Sequence, residues 1–171
     1  MFMKETTMKM INHALDVITD NEDTAVEVVT SVEFNGGICN IKFDLENGYS
    51  LCMTTFESSF DAGDIDSKEE YKQSMAEDIY AVEMYIGVPD EQSGKITKLY
   101  NRVFVTNECY TDIQTENEFK REDFGVYVIV DEIDKSHDTV KFEDVKEYIE
   151  ALCGLIVAGD MDSLELNYCC E

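Results

Sequence analysis

The chain has 171 residues, 44% of them hydrophobic, and carries 38 Asp plus Glu against 13 Lys plus Arg, a net charge of −25 at pH 7. That apolar content suits one folded domain over residues 1–171 with its own core, unlike a disordered acidic tail. The charge excludes direct binding of nucleic acid or an anionic membrane, both of which need a basic surface.

The start, Met1-Phe2-Met3-Lys4-Glu5, has no apolar run of secretory-leader length. No stretch reaches the ~18 apolar residues of a membrane span. The expected location is therefore the cytoplasm. Thr7 to Thr19 reads as a helix, with Met8, Ile11, Leu15 and Ile18 recurring at steps of three and four and Thr6 or Thr7 as cap. Ala25 to Phe34 is rich in valine and reads as a strand. Asn35-Gly36-Gly37 turns the chain, and Cys39, Ile41, Phe43 and Leu45 then alternate with polar residues. After a second turn, Glu46-Asn47-Gly48, the residues Tyr49, Leu51, Met53 and Thr55 alternate again. This is the pattern of a three-strand meander.

A polar loop is expected from Glu57 to Asp66, followed by the capping box Ser67-Lys68-Glu69-Glu70. The stripe Tyr71, Met75, Ile79, Val82 and Ile86 predicts a helix to about Ile86, with Gly87 as its C-terminal stop and Pro89 just beyond. Lys95 to Thr106 fits both templates; its β-branched and aromatic end, Val103-Phe104-Val105-Thr106, favours a strand. Asn107 to Asp123 reads as a polar loop. Phe124 to Ile133 reads as a strand whose near-continuous apolar run predicts a central position. Phe142 to Val157 reads as an amphipathic helix with Val145, Ile149, Leu152 and Ile156 inward, and Leu164 to Cys169 as a last strand. The expected fold is α+β: a mainly antiparallel sheet, built from the N-terminal meander plus C-terminal strands, with about three helices packed on it.

Catalytic templates do not fit. Gly94-Lys95 is followed by Ile96 where a phosphate loop needs Ser or Thr. The six cysteines, Cys39, Cys52, Cys109, Cys153, Cys169 and Cys170, show no Cys-x-x-Cys spacing, and His13 and His137 are the only histidines. Free thiols are expected, without a zinc framework. The acids Asp160 and Asp162, and the run from Asp134, depart from the calcium-loop template. No metal ligand and no cofactor is expected.

The acids are spread along the chain. From Met10 to Ser67 there are 12 acids and one base, whereas no acid falls between Gln92 and Asn107, where Lys95, Lys98 and Arg102 lie. Glu143, Glu147 and Glu150 follow helical spacing on the solvent side of the last predicted helix. The residues expected to bind a partner are Asp61, Asp64, Asp66, Glu69, Glu70, Glu77 and Asp78, a negative loop beside a negative helix face. Tyr71, Tyr80, Tyr85, Tyr110 and Phe119 are candidate anchors among them. Solubility asks for only about 2–8 net charges on a small domain, and an excess costs stability by self-repulsion. A compact chain of this length is ~40 Å across. A DNA duplex of that length carries about 24 phosphate charges, close to the protein's total.

In length, charge, unled start and absence of a catalytic motif, the chain resembles the small acidic inhibitors that phages use against restriction and CRISPR nucleases. The resemblance is one of composition and size across the whole chain. It implies a non-enzymatic inhibitor in the host cytoplasm, competing for the groove of a basic nucleic-acid-binding protein, either a nuclease or an effector complex. Two other expectations stand beside it. One is an immunity protein that neutralises a toxin nuclease; the other is a metal-binding or thiol-dependent enzyme.

Overall fold

The computed structural model describes residues 3–20, 27–35, 37–57, 79–106, 126–129 and 139–169. Their order is helix α1 (Glu5–Thr19), strands β1 (Val28–Asn35), β2 (Ile38–Leu45), β3 (Ser50–Glu57), β4 (Ile79–Pro89), β5 (Ile96–Thr106) and β6 (Val126–Ile129), helix α2 (Phe142–Ala158), a 3-10 turn (Met161–Ser163) and β7 (Leu166–Cys169). The sheet runs β1-β2-β3-β4-β5-β6, and β7 pairs with β5 beside β6. All pairings are antiparallel except β5–β6. The α+β class holds. The described residues contain two α-helices.

Register makes one face of the sheet apolar from strand to strand. Phe43 pairs with Leu51 and Leu51 with Ile86; Ile41 pairs with Met53 and Met53 with Met84, which faces Val103. All of these are buried, and with Cys39, Val82 and Val105 they meet the buried residues of α1 and α2 in one core. The meander behaves as expected from its period of two, with Cys39, Ile41, Phe43 and Leu45 all inward. In α2 the expected stripe Val145, Ile149, Leu152 and Ile156 is buried together with Cys153.

The deepest row of α1 is Thr7, Met10, Ala14 and Ile18; of the expected stripe Ile18 is fully buried. Met8 is 41% exposed, while Ile11 and Leu15 sit at the margin of the core. The helix lies against both the sheet and α2, so its small residue turns inward where the Cys153 sulfur approaches the Ala14 carbonyl at 3.9 Å. Neither Thr6 nor Thr7 caps α1. The N-cap position falls at Lys4, and both threonines are buried within the first turn.

The larger correction concerns the helix expected to end at Ile86. Residues 79–89 form β4, paired on both sides with β3 and β5. Val82, Met84, Ile86 and Val88 also satisfy a period of two, and two neighbouring strands select that period over the helical one. The remainder of that expectation, residues 67–78 with their capping box, lies outside the described residues. So do the loops placed at 57–66 and 107–123, except Glu57, which is the last residue of β3. Gly87 ends no helix. A Cβ there would stand 2.7 Å from Ile96 Cδ1 and 2.9 Å from Ile96 Cγ2, so the missing side chain lets the β4–β5 hairpin fold onto its own strand.

Lys95–Thr106 resolves as a strand, with Asn101 at φ 50 marking a bulge opposite Met84 and Ile86. Asn101 receives and returns hydrogen bonds with Glu165 at 2.9 Å each, which ties the approach to β7 against the bulge. Of the strand expected over 124–133, Val126–Ile129 is described as β6, and among the described residues it pairs with β5, in parallel.

The β2–β3 turn closes the C-terminal end of α2. Asn47 Nδ2 donates to the Ile156 carbonyl at 2.9 Å, and the Tyr49 hydroxyl donates to the Gly159 carbonyl at 3.3 Å. These carbonyls have no partner within the helix. No helix among the described residues is long and apolar enough to cross a membrane.

Gly87→Ala should leave the fold intact and cost about 1–3 kcal/mol, the usual cost of overpacking, because Ile96 must move. Urea denaturation of the two proteins measures it; an unchanged midpoint would show that the hairpin yields without strain.

Candidate functional site

The seven acids expected to bind a partner, Asp61, Asp64, Asp66, Glu69, Glu70, Glu77 and Asp78, all lie outside the described residues. The same holds for Tyr71, Tyr110 and Phe119, whereas Tyr80 and Tyr85 are half-buried on β4. The described residues hold 18 acids and 8 bases, a net −10; the other 20 acids and 5 bases, a net −15, lie beyond them.

Within the described part the negative charge gathers at one end of the sequence. Residues 141–165 carry seven acids and two lysines. On α2, Glu143, Glu147 and Glu150 are exposed at helical spacing. At ~1.5 Å per residue the three span ~10.5 Å, about one carboxylate per ~5 Å of axis. Glu150 also meets His13 Nε2 at 3.0 Å, and the His13 ring stands edge-on to Phe142 with centroids 5.4 Å apart. His13 thus holds α1 to α2. Asp160 serves the chain's own backbone, accepting from the Asp162 N–H at 3.1 Å and from the Ser163 hydroxyl at 2.9 Å.

The sheet face turned away from the helices is nearly balanced in charge. One row across it is Ser31, Lys42, Cys52 and Tyr85; the next is Glu33, Asn40, Thr54, Glu83 and Phe104. Lys42 meets Asp44 at 3.2 Å. Arg102 meets Glu83 at 3.3 Å and lies over the Phe104 ring, 5.3 Å from its centroid. The hairpin tip at Gly94, Lys95 and Ile96 leans over these rows and forms a concavity of about 360 Å³. Sequence reasoning noted the acid-free stretch that supplies Lys95 and Arg102. It had no means of seeing that this stretch folds back over Lys42.

The third cluster is buried at the start of α1. The Thr7 hydroxyl donates to Glu57 Oε1 at 3.1 Å and the Thr55 hydroxyl to the same oxygen at 3.4 Å, with buried Lys4 close by. Burial pushes the Glu57 carboxyl above its ordinary range, against the opposing pull of these donors and of Lys4.

The three described thiols are poor nucleophiles. Cys39, Cys52 and Cys153 are free and buried. Burial, chiefly, pushes their pKa from 9.0 to about 11 for Cys39 and Cys52 and to about 12 for Cys153. The thiolate is the reactive form, so all three are protonated and inert near neutral pH. Among the described residues no group of three or more His, Cys, Asp or Glu side chains is placed to hold a metal ion. Comparison with protein-family models, with curated proteins and with solved structures gives no match.

Iodoacetamide at pH 7.5 should therefore leave Cys39, Cys52 and Cys153 unmodified in the native protein and alkylate them in urea, as read by peptide mass spectrometry. The same shifts set an alkaline limit. Above about pH 9 the unfolded thiols lose protons that the folded ones keep, so the unfolded state is favoured and stability falls as pH rises. Cys153→Ala should lower stability at neutral pH and make this alkaline decline shallower; an unaltered slope would contradict the shift at Cys153.

Proposed function

We propose that this chain is a non-enzymatic acidic inhibitor that binds the nucleic-acid-binding surface of a basic defence nuclease, of the anti-restriction or anti-CRISPR type, in the cytoplasm of the host cell. The observation that carries the reading is the charge of −25 on a domain with a continuous core. Such a charge repels nucleic acid and is drawn over long range to a basic groove. The α2 face adds a local argument. Its exposed carboxylates recur about every ~5 Å of axis, and phosphates in one DNA strand recur every ~3.4 Å. A groove whose long, flexible Lys and Arg side chains serve a phosphate rail also pairs with a carboxylate row of this wider spacing, and such charge-assisted hydrogen bonds are the strong kind. The protonated thiols of Cys39, Cys52 and Cys153 favour a binding role over a thiol-dependent reaction at those residues.

Association with the nuclease should slow about tenfold or more between low and high salt, because steering between net charges is screened. The experiment is capture from host lysate on the immobilised protein, with release by added DNA or guide RNA and identification by mass spectrometry. Capture indifferent to both salt and nucleic acid would overturn mimicry. Two charge-reversal variants locate the surface. One replaces Asp61, Asp64, Asp66, Glu69, Glu70, Glu77 and Asp78 with Lys; the other replaces Glu143 and Glu147 with Lys and keeps Glu150 on His13. Each should stay folded, and the variant on the surface used should lose capture.

A further inference from the structure

β1 stands at one end of the strand order, and among the described residues it pairs with β2 alone. Val29, Thr30, Ser31, Val32 and Glu33 are all exposed, Val29 at 65% and Val32 at 38%. Successive strand residues point to opposite faces, so among the described residues both faces of β1 are exposed from Val29 to Glu33, while Val28 and Phe34 at its ends pack against the core. In an antiparallel pair every second residue turns its N–H and C=O away from its neighbour. Counted from the Asn35–Ile38 pair that closes the hairpin, the outward set is Val28, Thr30, Val32 and Phe34.

Edge strands of this length, ~27 Å for eight residues at ~3.4 Å each, are ordinarily guarded by Lys, Pro, an inward charge or a bulge. β1 has no Lys, Arg or Pro, and its register with β2 runs unbroken through eight pairs. What guards it is the charge of the molecule. Two copies approaching edge to edge repel each other through −25 apiece, while a basic segment is attracted. The edge is acidic at both ends. Glu33 is exposed near one end of β1; just before the other, Glu27 meets the Glu46 carboxyl, whose proton is held more tightly by that contact.

We propose that β1 is a docking edge that takes an extended basic segment of the partner as an added strand, with Lys or Arg beside Glu27 and Glu33 and β-branched residues against Val29 and Val32. This rests on the basic-partner reading above. Backbone hydrogen bonds supply the ladder and alternate side chains the selectivity, as in other strand-addition complexes.

The test uses the full-length protein labelled with nitrogen-15. The probe is an eight-residue peptide alternating valine with lysine or threonine. Its controls have glutamate for lysine, or N-methyl groups on alternate amides. The lysine peptide should shift resonances along β1, slow amide exchange at Thr30 and Val32 at least tenfold at saturation, and bind at least tenfold more tightly than either control. Val32→Pro, which removes an outward N–H and spares the β2 ladder, should abolish binding. Thr30→Lys, a variant that cannot break the fold, should weaken it. Equal binding of the N-methylated peptide, or shifts confined to α2, would overturn strand addition while salt-sensitive nuclease capture stood. Peptide docking with no basic nuclease captured would leave the edge and remove the inhibitor. Nuclease capture untouched by Val32→Pro, or a dimer abolished by Val32→Pro, would also overturn the proposal, the latter by naming a second copy as occupant.

Discussion

The sheet face formed by Ile41, Phe43, Leu51, Met53, Met84, Ile86 and Val103 is buried beneath α1 and α2, and this burial opposes the protein's own charge. Each such side chain contributes about 1.5–3 kcal/mol when withdrawn from water. Against it stands the repulsion among 38 acids, which grows as the chain becomes compact. A domain so charged folds only if its apolar rows line up with little error. The long, nearly unbroken antiparallel register from β1 to β4 provides that alignment.

The helix layer then determines where charge is displayed. α2 turns Val145, Ile149, Leu152, Cys153 and Ile156 inward, so Glu143, Glu147 and Glu150 face solvent as a consequence of the same periodicity. The opposite sheet face carries cations and anions in near balance, with Arg102 on Glu83 and Lys42 on Asp44. The described residues thus have an acidic helical side and a sheet side of mixed charge. The two sides differ in chemistry: exposed carboxylates on α2, and paired cations and anions on the sheet.

Much of the fold was legible because local signals agreed with one another. In β2 the alternation from Cys39 to Leu45 is bounded by glycine turns, and the buried set matches it. In α2 the stripe repeats over 17 residues, too long for a strand reading. The stretch from Ile79 to Pro89 failed because Ile79, Val82 and Ile86 satisfy one period while Val82, Met84, Ile86 and Val88 satisfy another. Gly87 and Pro89 mimicked a helix stop, yet Gly87 answers to Ile96, a neighbour that only the hairpin brings near. The acids from Asp61 to Asp78 lie outside the described residues, and the acidic face of α2 is the part of the charge reading that the fold displays.

From its sequence alone this protein is an acidic α+β domain with a meander, a C-terminal amphipathic helix and no reactive motif, because composition and short-range periodicity are properties of neighbours along the chain. The tertiary structure alone decided that residues 79–89 are a strand, that β5 carries both β6 and β7 on one edge, that Lys95 and Lys42 line one concavity, and that among the described residues β1 pairs with β2 alone. Each of these depends on residues far apart in sequence meeting through a shared sheet, and no local pattern records which strand will be a neighbour.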